Sequence, residues 1–202
     1  MPRVSDFALM LLGLLLLRSS SASSSAPAPR SAPGAAPRLP GAGLEVPRVL
    51  TGGQALGQWF ADRFGLALEV LRPNVPDQML RPIALSVVAQ WAHETGRGRA
   101  EFNFNLGGWR ARKTDPYFVA RDVQTGAELF RWTAYGDLPN AVADQLKRLH
   151  DTFPSAWALL MTEPNTSRWI EELGKRGYYT ANPLNYAHAW ASNRAELGAL
   201  AA

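Results

Sequence analysis

Cysteine is absent from the 202-residue sequence and histidine occurs only three times. Without thiols there is no disulfide, no zinc–thiolate site, no cysteine nucleophile and no lipid-modified cysteine anchor. His93, His150 and His188 are too scattered to suggest a metal centre. His93-Glu94 also lacks the second histidine of a zinc-protease helix, because position 97 is Arg97. Neither a metal nor a cofactor is expected. Long hydrophobic runs are lacking as well: Ala8 to Leu17 falls far below the ~20 residues of a membrane span. A surplus of basic charge is missing where it would matter. Of the +4 net charge, most lies in residues 1–48, where five Arg face only Asp6 and Glu45; the rest of the chain is nearly neutral. That argues against a nucleic-acid-binding domain, whose affinity would come from many Lys and Arg on phosphates.

What is present sorts into three segments. Arg3, the apolar run Ala8 to Leu17 and the small residues Ser19 to Ala26 read as a signal peptide over residues 1–22. The mature protein is then exported to the periplasm, cell envelope or medium, with no stable membrane insertion. Residues 23–48 are Ser, Ala, Pro and Gly with few large apolar side chains and read as a flexible linker, which leaves 49–202 as one domain. Within it helical patterns dominate. Gln54 to Leu71 carries an apolar stripe of Leu56, Trp59, Phe60, Phe64, Leu68 and Leu71, and Ile83 to Ala92 repeats Ile83, Val87, Val88 and Trp91 at helical spacing. Further helices are predicted at Asn140 to Phe153 with Asp137 as cap, Ser155 to Met161, Thr166 to Gly174 with Asn165 as cap, and Pro183 to Leu197 with Asn182 as cap. Between Tyr117 and Tyr135 two short strands flank Gln124-Thr125-Gly126. The fold class is mainly α; a single β-hairpin inserted after the helix that bears Glu94 is the outline of a lysozyme-like fold.

The chemistry centres on Glu94. Gly96 is the natural stop for the preceding helix, so Glu94 sits in its last turn, at the negative end of the helix dipole and near Trp91. Both surroundings favour the protonated carboxyl. A glutamate here is either a solvated residue at a frayed helix end or a general acid of the kind glycoside hydrolysis needs. Arg97, Arg99, Arg110, Arg112 and Lys113 surround the following loop with only Glu101 opposing them. They form either a solvated rim or a positively lined groove for an acidic polymer.

Four ordered blocks carry a family resemblance: Ala89-Gln90-Trp91-Ala92-His93-Glu94-Thr95-Gly96, Asn105-Leu106-Gly107-Gly108-Trp109, Trp132-Thr133-Ala134-Tyr135 and Lys175-Arg176-Gly177-Tyr178-Tyr179-Thr180. Together they resemble the glucosaminidases of glycoside hydrolase family 73, the flagellar-rod and bacteriophage peptidoglycan hydrolases. The resemblance implies Glu94 as catalytic general acid and Asp122, four residues before Gly126, as second carboxylate; Glu128 across the hairpin is the alternative. It places Tyr178 near the glutamate, where it either positions the acetamido group or attacking water or serves as a half-buried core residue. Asn105 and Trp109 could form a sugar platform. Arg97 stands where the family commonly has an aromatic residue, giving a more polar groove wall that still touches substrate. The implied activity is cleavage of the β-1,4 bond between N-acetylglucosamine and N-acetylmuramic acid in peptidoglycan glycan strands, by a monomer. A muramidase or lytic transglycosylase of lysozyme-like fold, and a catalytically inactive wall-binding module, are the alternatives.

Overall fold

The computed structural model describes residues 44–121, 125 and 127–201. The expected signal peptide, the expected linker up to residue 43 and the second carboxylate expected at Asp122 lie outside the described residues. Among the described residues, six helices and two strands follow in order: α1 (Leu56–Leu71), a 3-10 turn (Arg72–Asn74), α2 (Asp77–Glu94), β1 (Tyr117–Arg121), β2 (Glu128–Thr133), α3 (Leu138–Thr152), α4 (Pro154–Thr162), α5 (Arg168–Lys175) and α6 (Pro183–Leu200). The described chain is mainly α, with one small antiparallel sheet.

Helix α2 is the centre of the molecule. Leu80, Ile83, Ala84, Val87, Val88, Ala89, Trp91 and Ala92 are all buried, so its apolar surface runs nearly all round, as a helix packed on several sides requires. It lies along α6 and α1. Its start at Asp77 precedes the expected Ile83 because the N–H groups of Met79 and Leu80 already close on the Pro76 carbonyl at 2.9 and 3.1 Å. Asp77 adds a carboxylate at the positive end of the helix. Pro82 therefore falls inside the helix, at the loss of one N–H bond near its first turns.

Capping fixes the other helix starts. Asp137 accepts from the Asn140 N–H at 2.8 Å, and Asn182 accepts from Leu184 and Asn185 at 2.9 and 3.4 Å, both as predicted. Asn165 does not cap α5. Residues Glu163 to Thr166 close a separate turn, Thr166 N–H to Glu163 C=O at 3.1 Å, so the helix begins only at Arg168. The Asn165 amide oxygen instead accepts from the Arg194 guanidinium.

The hairpin pairs Phe118 with Trp132 and Ala120 with Phe130, with a bulge between Ala120 and Arg121. Phe118, Phe130, Trp132 and Ala134 gather with Val46 into a second, smaller core. The packed chain thus extends back to Leu44, whereas composition predicts a linker as far as residue 48. The Val46 N–H donates to Tyr117 C=O at 2.8 Å, Tyr117 N–H donates to Leu44 C=O at 3.0 Å, and the Arg48 guanidinium lies 3.7 Å from the Phe102 ring centre. Val46 is the one buried residue of the segment Leu44–Arg48, and together with these bonds it pins the segment. The opposite edge of the hairpin is covered by the chain at Trp109–Ala111, with Ala111 N–H to Arg131 C=O and Thr133 N–H to Trp109 C=O, both 3.0 Å.

Candidate active site

The C-terminus of α2 delivers Glu94. Gly96, with φ of 56°, takes the left-handed conformation that ends the helix. Arg97 N–H bonds Ala92 C=O at 2.7 Å and Gly96 N–H bonds His93 C=O at 3.4 Å, the paired closure of a Schellman turn. The turn fixes the height at which Glu94 leaves the helix.

Around the carboxyl, three polar side chains converge in an apolar setting. The Tyr186 hydroxyl, from the first turn of α6, donates to Glu94 Oε1. Gln90, one turn earlier on α2, is near enough to favour the carboxylate. Its Nε2 reaches Tyr178 Oη at 2.8 Å and Tyr186 Oη at 3.3 Å. Glu94 itself is only 9% exposed. Burial raises its pKa to about 7, and Tyr186 and Gln90, which favour the carboxylate, partly offset that rise. The result is a carboxyl that carries its proton up to neutral pH and is met by two donors once the proton has left. The solvated, frayed-end alternative does not describe Glu94. Trp91 is buried in the core, while the enclosure around the carboxyl comes from Tyr178, Tyr186 and Gln90.

The other expected site residues are distributed as follows. Tyr178 is buried, donates to Gly107 C=O at 2.6 Å and meets the Trp109 ring edge-on at 5.6 Å, so it ties the Gly-rich loop to Gln90. Asn105 is buried and engaged within its own loop: Nδ2 donates to Trp109 C=O at 2.9 Å and Thr133 C=O at 3.1 Å, and Oδ1 accepts from Trp109 N–H at 2.8 Å. It shapes the loop that carries Trp109. Trp109 is partly exposed, with Tyr178 and Phe153 packed against its ring. Arg97 turns away from the carboxyl toward α6, donating to Asn193 Oδ1 at 3.1 Å and pairing with Glu196 at 2.7 Å. Glu128 lies exposed at the start of β2, paired with Arg131 at 2.7 Å, and that bond holds its carboxyl below the usual range. Among the described residues no other carboxylate acts electrostatically on Glu94.

The basic residues do not share one rim. Arg110 lies over Phe130 and Trp132 of the hairpin, and Arg112 pairs with Asp115 and Asp144. Glu101 opposes none of them. It is fully buried and receives Arg63 at 2.5 and 2.9 Å and Trp59 Nε1 at 2.8 Å, bolting the loop after Glu94 to α1. A second buried pair, Arg148 with Asp115 at 2.5 Å, fastens α3 to the chain that leads into the hairpin.

Gln90 and Tyr186 stand beside Glu94, and the motifs give neither a role. A signal for Gln90 existed: it is a polar residue four before Glu94 in an otherwise apolar run. Tyr186 carried none, because its place beside Glu94 depends on how α6 lies on α2.

Two cavities are notable, and neither is lined by Glu94. One of about 340 Å³ opens beside it, lined by His93, Arg97, Arg99, Ser192 and Asn193 among others. A larger one of about 500 Å³, walled by Val70, Leu146, His150 and Trp157, lies between α1, α3 and α4 and does not include Glu94. Comparison of the chain with models of known protein families, with curated proteins and with solved structures gives no match.

Proposed function

We propose that the protein is a peptidoglycan hydrolase of lysozyme-like fold that cleaves the β-1,4 bond between N-acetylglucosamine and N-acetylmuramic acid, with Glu94 as general acid. The observation that carries this is the buried Glu94 carboxyl, raised to about 7 and held by Tyr186 and Gln90 at the end of a core helix beside a Gly/Asn loop. Release of a sugar alkoxide needs a proton at the moment the C–O bond breaks, and an acid with pKa near the working pH supplies it best. The donors on Glu94 then favour the carboxylate that proton transfer creates. Tyr178 and Asn105 fix the loop, and Trp109, a partly exposed residue, is the aromatic group on which a sugar ring would stack. The ordered blocks that resemble family 73 glucosaminidases favour the glucosaminidase bond choice over that of a muramidase. The second group, which assists at the anomeric carbon, is assigned to Asp122 on that resemblance alone. The raised, enclosed acid likewise favours an enzyme over an inactive wall-binding module, which has no need of it.

Glu94→Gln tests the assignment. It keeps an acceptor for Tyr186 but has no proton to give, and turnover of purified peptidoglycan should fall by a factor on the order of 10² or more while glycan binding persists. Near-native turnover in this variant would overturn the role of Glu94.

A further inference from the structure

The cavity beside Glu94 has its own chemistry. Its walls come from the end of α2, the left-handed turn that follows it and one flank of α6. Gly96, Arg97 and Gly98 have φ of 56°, 60° and 81°, three consecutive residues in a region that a non-glycine side chain rarely occupies. Arg97 is held there by Asn193 and Glu196. The turn so formed brings Arg97 and Arg99 to the same cavity. Arg97 is matched by Glu196, whereas Arg99 has no ion-pair partner and Ser192 Oγ no hydrogen-bond partner among the described residues. The His93 ring lines the cavity and meets the Tyr186 ring at 4.2 Å, while the Tyr186 hydroxyl lies on Glu94. The cavity is therefore one layer of side chains away from the acid. A volume of about 340 Å³ has room for an amino-acid residue with its carboxylate.

Resting on the hydrolase function above, we propose that this cavity is a carboxylate subsite, with Arg99 and Ser192 as its principal donors, that binds the peptide carried by the sugar next to the scissile bond. Arg99 and Ser192 are exposed residues that line the same depression, and a guanidinium and a hydroxyl side by side suit a carboxylate; because the charge of Arg97 is already neutralised, Arg99 is the charge the ligand meets. The subsite makes the enzyme prefer glycan that still bears its peptides over glycan from which an amidase has stripped them.

The test compares kcat/KM on peptide-bearing and peptide-stripped glycan fragments of equal length, for the wild type, Arg99→Ala, Arg99→Lys and Ser192→Ala. Wild type should prefer the peptide-bearing fragment roughly tenfold, the size of one charge-assisted hydrogen bond, and less so as salt rises. Arg99→Ala should abolish the preference, Ser192→Ala should reduce it, and Arg99→Lys should keep part of it. Equal kcat/KM of wild type on the two fragments, or a preference untouched by Arg99→Ala, would overturn the subsite and leave the hydrolase function standing. A wild type inactive on both fragments would overturn the hydrolase function itself.

Discussion

At the scale of single residues, Glu94 couples proton binding to stability. Its folded pKa of about 7 stands above the ordinary value near 4.5, so the folded protein binds this proton more tightly than the unfolded chain does. The associated stability is complete below pH 4.5 and is lost as pH rises through 7. At about 1.4 kcal/mol for each pH unit separating folded from unfolded pKa, the loss amounts to about 3–4 kcal/mol at most. Glu94→Gln cannot titrate. Urea unfolding at pH 5 and pH 8 should show the wild type losing more stability than the variant between the two; parallel losses would contradict the burial account of Glu94. Tyr186 provides a second test. Its hydroxyl favours the carboxylate, so Tyr186→Phe should raise the Glu94 pKa further and move the alkaline limb of the kcat/KM profile up by on the order of one pH unit. An unmoved limb with lowered activity would reduce Tyr186 to a packing residue. Glu94 was legible in the sequence because Gly96 marks the helix end. Its partners were not: Asn105 and Tyr178 stand in the expected motifs, yet whether an amide faces a ligand or its own loop depends on bonds across distant segments.

At the scale of elements, the sequence revealed helices where an apolar stripe and a cap coincide. Asp137 before Leu138–Thr152 and Asn182 before Pro183–Leu200 did so. It misplaced the starts of Asp77–Glu94 and Arg168–Lys175, where the first turn is set by a proline carbonyl or by a preceding Thr166 turn rather than by a capping side chain. What anchors the loop after Glu94 was not legible, since Glu101 reads as a surface acid until Arg63 and Trp59 are seen to enclose it. Removing one member of a buried ion pair strands the other, at a cost of about 3–5 kcal/mol. Glu101→Ala should lower the melting temperature sharply, and the double replacement of Arg63 and Glu101 by Met and Leu should recover much of it. Gly98 is tied to the same contact: a Cβ there would stand 2.3 Å from Trp59 Cδ1 in a backbone with φ of 81°. Gly98→Ala should destabilise the loop by more than about 1 kcal/mol, read by calorimetry.

At the scale of the whole molecule, a large helical core around α2 takes in Leu106 and a small core under the hairpin takes in Phe102, so the loop that starts at Phe102 links the two, and Tyr178 ties that loop to Gln90 beside Glu94. The small core needs the segment at Leu44–Arg48. Val46→Asp would place a charge among Phe118, Phe130 and Trp132, and the melting temperature should fall; an unchanged value would show that the segment is only a linker end. The central claim is that Glu94 serves hydrolysis at the N-acetylglucosamine side of the glycan link. Mass spectrometry of purified peptidoglycan after digestion, with the products reduced to mark their reducing ends, tests it most directly. Products ending in N-acetylglucosamine, formed by the wild type and not by Glu94→Gln, are the predicted result. Products ending in N-acetylmuramic acid or its anhydro form, or an undigested wall, would contradict it.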